Sequence, residues 1–116
     1  MREITQTLYA VRVIGTQKYL PRPQRRDGRG GSHLEPVDFA DRSTWPPRYA
    51  KDMMIRTYTT KQAAKNLLVS WAKGAVGCSR WGIWGEHEEE NYHIPKPHRR
   101  LEDMEIVELT ITLPAP

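Results

Sequence analysis

The sequence predicts an α+β fold, in which a small, mostly antiparallel sheet of three to four strands has one main helix packed on one face and two long loops. Three segments predict this fold. Residues 4–14 and 104–113 alternate in the manner of strands, and residues 59–74 have the three- and four-residue spacing of a helix. Since the apolar stripe of the helix needs a surface to cover, we expect the strands to supply it.

The chain of 116 residues predicts a single domain, 1–116, whose long loops are residues 21–52 and 75–101. Hydrophobic residues make up 38% of it and the mean hydropathy is −0.72, so much of the chain is expected at the surface. No apolar run of about 18 residues predicts a membrane span, and the N-terminus lacks the apolar stretch of a signal peptide. The single cysteine, Cys78, excludes an internal disulfide and indicates a reducing compartment.

The N-terminal segment, residues 4–14 (ITQTLYAVRVI), is rich in β-branched and aromatic residues and predicts a strand. Its odd-numbered side chains share one face and its even-numbered side chains share the other. Gly15 and Thr16 offer a turn, and residues 17–20 then predict a short second strand that returns as a hairpin.

Residues 21–52 predict a long irregular loop, because Pro, Gly and Arg are frequent there and no apolar periodicity is present. Pro46 and Pro47 fix an extended path near its end. Loops of this length are usually functional or disordered. Residues 53–58 (MMIRTY) then predict a short strand that leads directly into the helix.

Residues 59–74 (TTKQAAKNLLVSWAKG) carry the clearest helical pattern in the chain. Thr59 is the expected N-cap, with Gln62 three residues later in a capping box, and Thr60 is the competing cap. Gly74 suits the left-handed conformation that ends many helices. One stripe of the helix is apolar and is expected to pack on the sheet: Ala63, Ala64, Leu67, Leu68, Trp71 and Ala72.

Residues 75–101 predict a second irregular loop, and residues 104–113 (MEIVELTITL) predict the clearest strand. The two sides of this strand differ in polarity. One side carries Val107, Leu109, Ile111 and Leu113, and the other carries Ile106, Glu108, Thr110 and Thr112. An apolar face opposite a polar one predicts a sheet with one covered side.

Basic and aromatic side chains are concentrated in the two predicted loops. The formal net charge of +4 suits ordinary solubility as well as attraction to phosphate or acidic protein surfaces. Arginines bind phosphates while aromatic rings stack on bases, but Trp, Tyr and Arg are also the favoured anchors of protein interfaces. The sequence leaves both uses open. The candidate partner-binding residues are Arg25, Arg26, Arg29, Trp81, Trp84, Tyr92, Arg99 and Arg100.

Four potential metal ligands lie close together in the second loop. Cys78, His87, His93 and His98 fall within 21 residues, near a run of glutamates, and zinc accepts such ligands. Their spacing matches no closed zinc motif, and no Cys-x-x-Cys pair is present. We therefore expect no bound metal and no cofactor.

Potential catalytic side chains adjoin one another in the first loop. Ser32, His33 and Glu35 follow a Gly-rich stretch, and His33 could serve as the base of a nuclease with Arg26 or Arg29 as a phosphate clamp. A triad is recognised by its geometry in the fold and not by its position in the sequence. We expect no catalytic residue, and a small metal-dependent or nuclease-like enzyme remains an alternative.

Four segments of the chain together carry a recognisable pattern: residues 9–20 (YAVRVIGTQKYL), 28–36 (GRGGSHLEP), 56–64 (RTYTTKQAA) and 71–74 (WAKG). The Ser-His-x-Glu element in a Gly-rich loop, the Thr-x-Lys-x-Ala-Ala segment and the Trp-x-x-Gly helix end resemble small uncharacterised accessory proteins of tailed bacteriophages. The resemblance leaves residues 75–101 mostly outside. It implies a phage accessory gene and no known active site.

The resemblance also implies a class of function. Small phage accessory proteins commonly bind a host or defence-system protein and block it, as host-takeover or counter-defence inhibitors in the cytoplasm of an infected bacterial cell. In such a protein the sheet and helix are the scaffold and the loops are the contact surface. The alternative is a basic nucleic-acid-binding accessory protein that uses the Arg-rich and Trp-rich loops.

Overall fold

A computed structural model of the protein describes residues 3–24, 31–47, 53–81 and 88–114. It has the predicted α+β fold, with a four-stranded antiparallel sheet, a separate two-stranded sheet and one main helix. The elements in chain order are β1 (Ile4–Val13), β2 (Lys18–Tyr19), β3 (Val37–Asp38), α1 (Lys61–Ala72), β4 (Ala75–Trp81), β5 (Glu88–Ile94) and β6 (Met104–Leu113). Within these described residues, no helix is long and apolar enough to cross a membrane.

The main sheet has the strand order β3-β2-β1-β6 and confirms both predicted long strands. Strands β1 and β6 pair over their whole length, from Ile4 opposite Leu113 to Val13 opposite Met104. The predicted N-terminal hairpin also forms, because Gly15 adopts a φ of 73° in the turn and lets β2 return beside β1. Strand β6 therefore lies at one edge of the sheet and the short β3 lies at the other.

Helix α1 begins one residue later than predicted, because its N-cap is Thr60 and not Thr59. The hydroxyl of Thr60, and not that of Thr59, accepts a hydrogen bond from the backbone N–H of Ala63 at 3.2 Å. The predicted capping box is therefore wrong. At the other end, the prediction for Gly74 is confirmed by its φ of 121°. A side chain there would be strained, and its Cβ would lie 2.5 Å from the carbonyl oxygen of Ile94.

The helix packs on the side of the sheet that carries the odd-numbered residues of β1. Val11 and Met104 are buried there against the helix side chains Leu68 and Trp71, and Ile106 is partly buried beside them. The more apolar side of β6, which carries Val107, was expected to be the covered one. It faces away from the helix, so this expectation is corrected. Alternation separates the two sides of a strand, but it does not show which side receives the helix.

The second side of the sheet is also covered near β2, by an aromatic cluster that was not predicted. Tyr19 contacts Phe39 edge to face at 6.4 Å between ring centroids, and Phe39 contacts Trp45 at 5.2 Å. The indole N–H of Trp45 donates to the carbonyl of Asp38 at 2.8 Å. The later part of the predicted loop 21–52 is thus an ordered cover, which contains β3 and a short 3-10 helix at Arg42–Thr44.

An ion pair lies on this same side. Arg12 donates to Glu105 at 2.5 Å and to the Tyr19 hydroxyl at 3.2 Å, and these hydrogen bonds raise the pKa of the Arg12 guanidinium above its usual value. Arg12 and Glu105 are opposite each other on β1 and β6. The pair is a cross-strand contact that helps to fix the register.

The predicted irregular loop 75–101 contains the antiparallel hairpin of β4 and β5, so that prediction is corrected. The register places Arg80 opposite Glu89, a cross-strand pair of opposite charge. A Cβ on Gly77 would lie 2.3 Å from the ring of Tyr92, so this exposed ring packs directly over the glycine. The strands were missed because AVGCSRW and EEENYHI lack apolar alternation. Residues 53–58 form only isolated bridges to Tyr9 and Pro21, and not the predicted short strand.

Candidate functional site

A cleft beside β3 has a volume of about 470 Å³. Its floor and walls are mainly apolar, and charged side chains of both signs lie among them. The apolar lining comes from Pro21, Leu34, Pro36, Val37, Pro46 and Met53, and the polar lining from Lys18, Arg22, Gln24, His33, Glu35, Asp38 and Thr44. Concave, mainly apolar sites with a few polar groups are typical of ligand and peptide binding.

The wall of the cleft at residues 31–36 is held in place by Arg99, whose side chain is fully buried. The guanidinium donates to the carbonyls of Ser32 and Trp71, both at 2.9 Å. It also pairs with the carboxylate of Glu35 at 3.0 Å and lies 4.7 Å from the centroid of the Trp71 ring. Arg99 therefore joins the loop to the last turn of α1 through charge-assisted hydrogen bonds and a cation–π contact.

Two further hydrogen bonds fix the same wall. The indole N–H of Trp71 donates to the carbonyl of Leu34 at 2.9 Å, and the hydroxyl of Ser32 accepts from the backbone N–H of Val76 at 2.9 Å. Gly31 begins the wall with a φ of 70°, and a Cβ there would lie 2.7 Å from the ring of Pro23. The predicted contact loop is thus rigidly attached to the core in this part.

Glu35 lies between the cleft and a second hollow of about 280 Å³ on its other side. Its carboxylate accepts from His98 at 2.8 Å as well as from Arg99. Lys18 and Pro36 line both hollows, and Arg100 lines the second. The two hollows form one continuous surface, on which a carboxylate, an imidazole and two exposed cations can orient a bound molecule.

The predicted contact residues fall into three groups in the structure. Arg25, Arg26, Arg29 and Trp84 lie outside the described residues, and so does the side chain of Trp81, whose backbone ends β4. Tyr92 and Arg100 are exposed, and Arg100 pairs with Glu102.

Arg99 is the exception among the predicted contact residues, since the structure places it in the interior. Its hydrogen-bonding groups point to Ser32, Trp71 and Glu35 and not to the surface. It positions the wall of the cleft and is not available to touch a partner. Lys96, His98 and Arg100 are also basic and lie beside Arg99 in the sequence. Nothing in the sequence therefore distinguished the buried arginine from its basic neighbours.

His93 and His98, two of the side chains considered for metal binding, contact different partners, and the side chain of Cys78 lies outside the described residues. His93 Nε2 is 2.5 Å from the carbonyl oxygen of Lys73, whereas His98 bonds Glu35. His33 is exposed at the rim of the cleft, and His87 lies outside the described residues. The described part of the chain has no group of three or more His, Cys, Asp or Glu side chains arranged to hold a metal ion.

Sequence reasoning identified the loop with Ser32 and Glu35 but missed the residues that complete the cleft. Val37 is positioned by the pairing of β2 with β3, whereas Met53 lies beside Met54 and Ile55, which hydrogen-bond and bridge to Arg22 and Pro21. The proline-rich composition of residues 21–47 was the available signal, since it marks extended segments that expose apolar rings. Comparison with protein-family models, curated proteins and solved structures found no match to this chain. The resemblance to phage accessory proteins therefore stays a prediction.

Proposed function

We propose that this protein is a phage-encoded, non-catalytic binding protein, which takes up a segment of a host or defence-system protein in the cleft beside β3. The phage origin and the class of target come from the sequence resemblance. The choice of the cleft as the contact site comes from its geometry.

The composition of the cleft lining is the observation that carries the proposal. Three prolines, Leu34, Val37 and Met53 supply an apolar surface, and charged groups of both signs stand around it. A protein segment offers apolar side chains, backbone hydrogen-bonding groups and both signs of charge, so it matches such a lining. The wall that Arg99 holds in place also supports binding of a protein segment, because a fixed site loses less conformational entropy when a partner binds.

The nucleic-acid alternative receives less support from this surface. A phosphate track needs a row of accessible basic groups. Arg99 is buried, Arg100 is paired with Glu102, and in the cleft the basic Lys18 and Arg22 lie among the acidic Glu35 and Asp38 and form no continuous basic row. A proteinaceous partner accommodates that mixture, whereas a phosphate backbone is repelled by its acidic part.

Capture of the partner by matched variants tests the proposal. Pro46 lines the cleft and Pro47 does not, although both are exposed and adjacent. We expect tagged wild-type protein and the Pro47→Arg variant to recover the same host or defence protein from infected bacterial cells, as identified by mass spectrometry. Pro46→Arg places a charge in the apolar cleft, and we expect it to recover about tenfold less.

Equal recovery by all three proteins would remove the cleft from the proposal. Recovery of nucleic acid in place of a protein, with a steep loss of binding between low and physiological salt, would favour the alternative.

A further inference from the structure

The outer half of the β1–β6 pair, residues 4–8 with 109–113, differs from the rest of the sheet and is called the arm below. In the described part of the chain, β2 pairs with β1 only at Arg12, and the isolated bridge to Tyr58 is at Tyr9. From residue 8 outwards, β6 is the one strand that the structure pairs with β1. The arm is therefore a two-stranded ribbon, which is marginally stable by itself in water.

One face of the arm is apolar and exposed. Ile4, Ile111 and Leu113 retain 56%, 40% and 46% of their accessible surface, and Leu8 is opposite Leu109 on the same face, where Gln6, opposite Ile111, is the one polar residue. The opposite face carries threonines from both strands, and no charged residue occurs in residues 4–8 or 109–113. Exposed apolar patches with no charge of their own commonly mark interaction surfaces.

No strand in the described part of the chain pairs with the outer edge of β6, which presents a defined set of backbone groups. Tyr9 exchanges two hydrogen bonds of 2.8 Å with Tyr58, so its N–H and C=O point away from β6. Its partner across the ladder, Glu108, therefore points its own N–H and C=O away from β1. Because this direction alternates along a strand, the N–H and C=O groups of Thr110 and Thr112 also point out from the edge.

Natural proteins protect an exposed edge strand with charged side chains, proline or a bulge. Residues 109–113 have none of these, and Pro114 comes only after the strand ends. Apolar residues and threonines alternate along these five residues. A two-fold axis perpendicular to the sheet reverses the direction of the partner strand, and an axis through any one residue of an alternating strand keeps the apolar and threonine faces aligned.

We propose that β6 pairs antiparallel with β6 of a second copy of this chain, about a two-fold axis through Thr110. Thr110 then lies opposite Thr110 of the second copy, and Glu108 lies opposite its Thr112. On the other face, Leu109 lies opposite Ile111 and Val107 opposite Leu113. The two arms become one four-stranded sheet, one face of which is apolar except for Gln6 of each copy.

Backbone pairing and charge together favour this register, since an axis through Ile111 would place Glu108 opposite Pro114, which has no N–H to donate. The net charge of +4 opposes association of two copies over most of their surface, but the arm itself is uncharged. A shift of the axis to Glu108 would place two glutamates directly opposite each other, which is destabilising. The axis at Thr110 avoids that contact and places threonines opposite each other, a favourable cross-strand pair.

Two lysine variants test the proposal. Thr110 and Thr7 are opposite each other on the same face of the arm, but Thr110 lies at the β6 edge that would pair with the second copy and Thr7 lies at the opposite edge, on β1. We expect wild-type protein and Thr7→Lys to sediment as dimers at about 0.1–0.5 mM, and the dissociation constant of the dimer to rise tenfold or more in Thr110→Lys. A monomeric wild type over this range, or equal weakening by both variants, would overturn the proposal.

A cross-link supplies a second measurement that does not depend on added charge. In a Cys78→Ser background, Thr110→Cys places two thiols opposite each other across a hydrogen-bonded pair, with Cα atoms about 5.5 Å apart. We expect a covalent dimer on mild oxidation, whereas Thr7→Cys in the same background should remain monomeric on a denaturing gel. No cross-link at Thr110, with the protein folded by circular dichroism, would contradict the register. Capture of a strand from another protein by wild-type monomers would also contradict it.

Discussion

The inner and outer halves of the β1–β6 pair are built from the same two strands but have opposite surroundings. In the inner half, Val11 retains 1% of its accessible surface and Met104 is also buried. In the arm, Ile4 on β1 retains 56% although it is equally apolar. An alternating pattern therefore specifies a strand, and neighbouring elements decide whether its apolar residues become core or interface.

The neighbours of the inner half explain the difference. Helix α1 covers one side of it and the cluster of Tyr19, Phe39 and Trp45 covers the other. The cross-strand pair Arg12–Glu105 also belongs to this half. The arm has only its own two strands in the described part of the chain, so its apolar face is available for a partner.

The largest expected effect comes from removing the residue that holds the helix end over the inner half. Arg99→Ala leaves the carbonyls of Ser32 and Trp71 without their donor and removes the partner of Glu35. Since these are charge-assisted bonds to a buried group, we expect the free energy of unfolding to fall by about 3 kcal/mol. Denaturant unfolding measures it.

Arg100→Ala is the matched control for this prediction. Arg100 is the adjacent arginine and makes an exposed ion pair with Glu102, and such pairs contribute about 0–1 kcal/mol. A loss of stability in Arg99→Ala no greater than in Arg100→Ala would show that the inner half does not depend on this contact.

A smaller difference in unfolding free energy is expected between matched substitutions in the inner and outer halves of β1. Val11→Ala removes two methyl groups from the core under the helix, and we expect a loss of about 2 kcal/mol in unfolding free energy. Ile4→Ala removes more apolar atoms from the exposed arm, and we expect a loss below about 0.5 kcal/mol when it is measured on dilute monomer. Thermal or denaturant unfolding of both variants at one concentration makes the comparison.

Equal losses in the two variants would mean that the arm is covered in the monomer, and the contrast between the halves would then be wrong.

The sequence was sufficient for the elements whose signals are local. Strands β1 and β6, the short return strand β2, helix α1 and the left-handed Gly74 all follow from periodicity or turn chemistry. The β4–β5 hairpin was missed because its strands, AVGCSRW and EEENYHI, lack the apolar alternation by which a strand is recognised in a sequence.

The candidate site was only partly predictable for the same reason. The loop with Ser32 and Glu35 was marked by composition, but the cleft is completed by Pro46 and Met53, which are distant in the chain. Arg99 was read as a surface residue, since nothing in its neighbourhood indicates that it reaches Trp71, 28 residues earlier. The sequence shows that a side chain is charged, but its exposure depends on how the rest of the fold packs around it.

Hydrogen exchange along β6 tests the central claim, that the arm is left open for a second copy, most directly. The N–H groups of Leu109 and Ile111 point to β1, so we expect them to be better protected than those of Thr110 and Thr112 in dilute protein. The N–H groups of Thr110 and Thr112 point out from the edge, and we expect their protection to rise as the concentration passes through the dissociation constant of the dimer. Rapid exchange of Thr110 and Thr112 at all concentrations up to about 0.5 mM would contradict the claim.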